Sequence, residues 1–176
     1  MICKPLLGFA VAFFVFLSTL RSEPLNVVVG DLTFKRPAAW VFEPPKGNSS
    51  SVSRFVISLE NEKPAGDVRF YLPGKTPAEA RKLWKSYAAP EDVGTFRVEE
   101  KKIGKQTITY ISLHGKLKVP GEKQSNQVGF IGAVIPIGEN FMHVRMAGSA
   151  DLVEKSTATF KRMVEEAVQD REAERN

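Results

Sequence analysis

Val128 to Ile137 reads VGFIGAVIPI, and this stretch decides the fold. It is a near-continuous apolar run, the pattern of a strand buried on both faces, and so belongs at the centre of a sheet. Gly138-Glu139-Asn140 turns the chain into Phe141 to Ala147 (FMHVRMA), a second strand. Gly148-Ser149 then precedes a long terminal helix. Val153, Thr157, Phe160, Val164 and Ala167 form its stripe, widened by Leu152, Met163 and Val168. A face that broad lies flat on a sheet. Gln169 to Asn176 (QDREAERN) is polar apart from Ala173 and is expected to fray.

Upstream of the apolar strand, Phe96 to Ile103 and Gln106 to Lys118 flank Gly104-Lys105 and make a hairpin, followed by an exposed loop over Val119 to Gln127. Thr76-Pro77-Ala78-Glu79 combines an N-cap, a proline at the first helical position and a glutamate three residues after the cap, which starts a helix. Ala80, Leu83, Trp84 and Tyr87 recur at helical spacing, and Pro90 ends the helix near Ala89. Earlier still, Leu25 to Val29 and Leu32 to Arg36 pair around Gly30-Asp31, and Trp40 to Phe42, Val52 to Leu59 and Asp67 to Leu72 are strands. Val68, Phe70 and Leu72 share one face, while Arg69 and Tyr71 share the other. Pro44 to Ser51 is a loop containing the Asn48-Ser49-Ser50 glycosylation sequon.

The chain of 176 residues suits a single domain. Lys4, the apolar run Leu6 to Leu20 and the polar exit at Arg21-Ser22 read as an export signal, with cleavage expected near Ser22. The alternative is an uncleaved N-terminal membrane anchor, for which the run is short. Without Lys4 and Arg21 the domain keeps 23 basic and 20 acidic residues, a balance of +3. No basic stripe for nucleic acid emerges, because Lys101, Lys102 and Lys105 sit beside Glu99 and Glu100 as a solvated hairpin surface. Cys3, the single cysteine, precedes the apolar run, so the exported product has no disulfide, thiolate metal site or lipidation cysteine.

Few residues offer chemistry. His114 shares its strand face with Ile108, Tyr110 and Ser112, and Ser112 lies about 6.5 to 7 Å away along the strand, too far for a direct hydrogen bond. His143 shares a face with Phe141 and Arg145 and has no ligand partner at i+2 or i+4. Glu99 and Glu100 point to opposite faces and cannot share a proton. No glycine pattern marks a nucleotide site, and Trp40 and Trp84 read as core residues. The residues therefore assign no catalytic, cofactor-binding or metal site.

The segment Phe34-Lys35-Arg36-Pro37-Ala38-Ala39-Trp40, an F-x-x-P-x-x-W motif followed by strands, a Trp-bearing helix, hairpins and a terminal helix, resembles the PsbP-like superfamily over Val27 to Val168. The resemblance is to its small exported bacterial members of unassigned function. It implies an α+β fold, an α/β/α sandwich with a mostly antiparallel sheet of about six strands, and a non-catalytic binding or assembly role with another protein of the cell envelope. The competing reading is a small-molecule binder or hydrolase working in a cleft between sheet and helix, with His114 or His143 as general base.

Overall fold

The computed structural model describes residues 25–44, 47, 49–58, 65–88, 95–116 and 128–175. The elements run β1 (Asn26–Val29), β2 (Leu32–Lys35), β3 (Trp40–Glu43), β4 (Ser53–Ile57), β5 (Gly66–Tyr71), α1 (Pro77–Lys85), β6 (Arg97–Ile103), β7 (Gln106–Gly115), β8 (Val128–Ile137), β9 (Asn140–Ser149) and α2 (Ala150–Glu174). The segment expected to be an export signal, the sequon asparagine and the 119–127 loop lie outside the described residues.

β3 to β9 form an antiparallel sheet of seven strands in the order β3-β4-β5-β9-β8-β7-β6. Two meanders, β3 to β5 and β6 to β9, are joined where β5 meets β9. VGFIGAVIPI sits beside the central strand β9 and is buried on both faces over its first eight residues. β1 and β2 pair as a separate hairpin around Gly30-Asp31, as expected, with Val29 opposite Leu32.

That hairpin and α2 cover one face. Phe34 and Phe70 meet edge-on at 4.9 Å, Phe70 and Phe55 at 5.5 Å, and Phe55 and Trp40 at 6.0 Å. The F-x-x-P-x-x-W segment thus works by reversal: Trp40 N–H donates to the Pro37 carbonyl at 2.9 Å, and the turn returns the indole to the cluster that Phe34 enters from the hairpin. α2 adds the predicted stripe, with Leu152, Val153, Phe160, Met163, Val164, Ala167 and Val168 all buried.

The helix does not stop where the polar tail begins. It continues to Glu174, and Arg171 is 4% exposed, donating to the Pro136 carbonyl at 3.1 Å. Arg175 pairs with Asp31 at 2.6 Å, and Lys35 with Asp170 at 2.9 Å. The tail expected to fray is held against the β1–β2 hairpin, because charge pairs replace the apolar stripe there.

α1 covers the other face. Its capping box forms as read: Thr76 Oγ1 accepts the Glu79 N–H at 3.3 Å, and Glu79 Oε2 accepts the Thr76 N–H at 2.9 Å. Trp84 and Tyr87 pack on Phe130 of β8. Nine residues make a helix only ~14 Å long, at about 1.5 Å each, whereas seven strands at roughly 4.8 Å spacing span about twice that. One short helix therefore spans only part of this face, and the polar residues of β5 and β9 lie on that same face.

Candidate functional site

Alternation along β5 and β9 turns Asp67, Arg69 and Tyr71, with His143 and Arg145, toward the α1 face. The register places Tyr71 directly opposite His143, and Arg69 directly opposite Arg145. Between these strands, the Pro73-Gly74-Lys75 connection and α1 lies a cleft of about 620 Å³, with Leu83, Trp84 and Tyr87 as its apolar wall. Gly74 is required where the connection crosses β9: a Cβ there would come within 2.9 Å of both His143 Cδ2 and the Phe141 carbonyl oxygen.

The charges are unevenly partnered. Asp67, 3% exposed, takes Arg54 at 2.8 Å and Arg69 at 2.7 Å on the same oxygen. Arg145, 8% exposed, makes no ion pair among the described residues; its guanidinium carbon lies over the Tyr71 ring, 5.1 Å from the centroid, and its buried Nε has no hydrogen-bond partner among them. Lys75 stands exposed at the rim. Among the described residues lining the cleft, none is a carboxylate.

His143 is 6% exposed, edge-on to Trp84 at 5.1 Å. Its Nε2 lies 2.8 Å from both the amide nitrogen and the carbonyl oxygen of Lys75. As an acceptor it takes that N–H, and as a donor it gives to that C=O, so either neutral tautomer uses Nε2 on the backbone and leaves only Nδ1 for a ligand. No hydroxyl or carboxylate among the described residues bonds the ring. His114, by contrast, is exposed on β7, and its main chain, rather than its ring, holds the Thr95 hydroxyl. The two histidines named as candidate bases are not brought together, and only His143 reaches the cleft. Trp40 and Trp84 are core residues as read, at 3% and 2% exposure.

Burial pushes His143 below its ordinary value of 6.5, aided by the charges of Lys75 and Arg145 and opposed by the Lys75 backbone bond and Glu79. The unfolded chain therefore takes up this proton at a higher pH than the folded one. Stability from the neutral ring is complete above about 6.5 and declines as pH falls below it, by at most ~1.4 kcal/mol per pH unit. Urea denaturation at pH 7.5 and 5.0 should show this loss in the parent protein and a shallower one in His143→Gln. Equal slopes would place the ring's titration outside the folded state's control.

Arg69, Tyr71, Lys75 and Arg145 were not singled out by sequence reasoning as a site. The available signal was the polar alternation of DVRFYL and FMHVRMA, strands whose other faces are apolar.

Among the described residues no helix is long and apolar enough to cross a membrane, and no group of three or more His, Cys, Asp or Glu side chains could hold a metal ion. No protein-family model and no curated protein sequence matches the chain. Among solved structures, the solution structure of cyanobacterial PsbP (CyanoP) from Synechocystis sp. PCC 6803 superimposes with a TM-score of 0.51 at 12% identity, covering 76% of this chain and 84% of that one. At that identity the likeness speaks for architecture alone. The antiparallel sheet, the separate hairpin and the two flanking helices are those of a PsbP-like α+β fold.

Proposed function

We propose that the chain is an exported, non-catalytic binding domain that takes its ligand in the cleft between α1 and the sheet. The observation that carries this reading is the cleft's content: a volume in the range of small-ligand sites, an aromatic wall, and a buried arginine with no ion-pair partner among the described residues. His143 supports binding over hydrolysis, because one ring nitrogen is committed to the Lys75 backbone and no acid or hydroxyl among the described residues orients the other. Export rests on the leader-like Lys4 to Ser22 segment.

The test uses protein recovered after expression of the full chain. Intact mass is expected to be short by about 22 residues. A fragment screen by amide NMR is then expected to move signals of Lys75, Leu83 to Tyr87, His143 and Arg145 together. Hits scattered away from the cleft would overturn the binding reading. Turnover of an ester, amide or phosphoester that is lost in His143→Gln would overturn its non-catalytic part.

A further inference from the structure

We infer that the cleft recognises an oxyanion, a carboxylate or phosphate group on a small ligand, and that Arg145 is the side chain that binds it. The inference rests on the cleft being the ligand site and adds the chemistry of what enters.

Three observations converge. Arg69 and Arg145 occupy directly opposed positions of paired strands on one face, and like charges so placed are destabilising. Among the described residues only one of the two has a carboxylate partner: Asp67 serves Arg54 and Arg69 with a single oxygen, and no carboxylate reaches Arg145. Burying a charge without a partner is costly, and structures keep such a group where something else supplies the counter-charge. The Arg145 guanidinium lies over the Tyr71 ring, its carbon 5.1 Å from the centroid, and a planar guanidinium can meet two oxygens of one acid group at once.

The surroundings suit the same guest. Lys75 adds a second cation at the rim, and the Tyr87 phenol, pushed above its ordinary value mainly by burial, stays a neutral donor. Leu83, Trp84 and Tyr87 offer apolar contact for the body of the ligand while its anionic end meets Arg145. A neutral ligand of the same shape would leave the guanidinium desolvated and unpaired, so the site discriminates by charge.

The probes are benzoate, phenyl phosphate and benzamide, the last a neutral match for benzoate in shape. They are titrated into nitrogen-15-labelled protein while the Arg145 Nε–H and Trp84 indole signals are followed. Either anion should move both signals saturably, with benzamide weaker by about tenfold or more. The tighter of benzoate and phenyl phosphate names the acid group as carboxylate or phosphate. Arg145→Met should weaken the preferred anion by about tenfold or more, with Arg145→Lys intermediate because it keeps the charge and loses the fork. Lys101→Met, on the exposed β6 surface, should change nothing. Arg145→Met removes an unpaired buried charge and is expected to keep a thermal midpoint at least equal to the parent's, so its loss of binding is not a loss of folding. Benzamide binding in the cleft as tightly as benzoate would overturn the oxyanion and leave the cleft as a binding site. Silence of the cleft signals to all three probes, with fragments also failing there, would overturn both.

Discussion

Replacing Trp84 by alanine is expected to lower the free energy of unfolding by about 4 kcal/mol, the scale for truncating a fully buried indole. The side chain is 2% exposed and meets Phe130 and His143 edge-on, each at 5.1 Å. Beneath it lies Gly132 of β8, where an added Cβ would overlap the carbons of the six-membered ring. The glycine is thus a socket, and it offers no side chain to relax into the space the indole leaves. Gly132→Ala alone should cost about 1 to 3 kcal/mol by overpacking. In the Trp84→Ala background the same change meets no ring, and alanine is favoured over glycine in a strand by about 0.5 to 1 kcal/mol. The double variant should therefore be more stable than Trp84→Ala alone. Urea denaturation of the four proteins decides it, and simple addition of the two losses would show that Gly132 is not the socket for Trp84.

The parts of the fold that were legible are those set by local pattern. VGFIGAVIPI announces a strand with two buried faces, and Thr76 to Glu79 announces a helix start whose hydrogen bonds all form. The cleft depends on pairing between distant segments. Alternation within DVRFYL and FMHVRMA puts Arg69, Tyr71, His143 and Arg145 on non-core faces, but nothing in either segment says that Arg69 will face Arg145. That follows from the joining of two meanders at β5 and β9. That α1 spans only part of this face was equally hidden, since it results from a nine-residue helix set against seven strands. At the C-terminus composition misled where spacing did not. Arg171 falls four residues after Ala167 and seven after Val164, on the buried stripe, and its guanidinium reaches the Pro136 carbonyl from there.

Asp67→Ala is the second large loss expected, about 3 kcal/mol. The carboxylate is 3% exposed and holds Arg54 and Arg69 at 2.8 and 2.7 Å. Removing one partner of a buried pair typically costs 3 to 5 kcal/mol; the lower figure applies because the Arg54 and Arg69 side chains are 27% and 20% exposed and can turn toward water. Arg54 also keeps Glu43 at 2.9 Å, so the burden falls on Arg69, left opposite Arg145 with its Asp67 counter-charge gone. Arg145→Met in the Asp67→Ala background should therefore recover about 1 kcal/mol by relieving the cation opposite Arg69. In the parent background the same substitution should be neutral or stabilising, because replacing an unpaired buried charge with an apolar side chain removes its desolvation penalty. The sign of that single substitution carries the most weight. An arginine kept for the fold would lose stability on becoming methionine, by more than about 1 kcal/mol if its stack on Tyr71 were structural. Such a loss would make Arg145 a structural residue and remove the reason to look for an anion. A gain in stability together with a loss of benzoate or phenyl phosphate binding is the trade expected of a residue that serves a ligand at the expense of the fold.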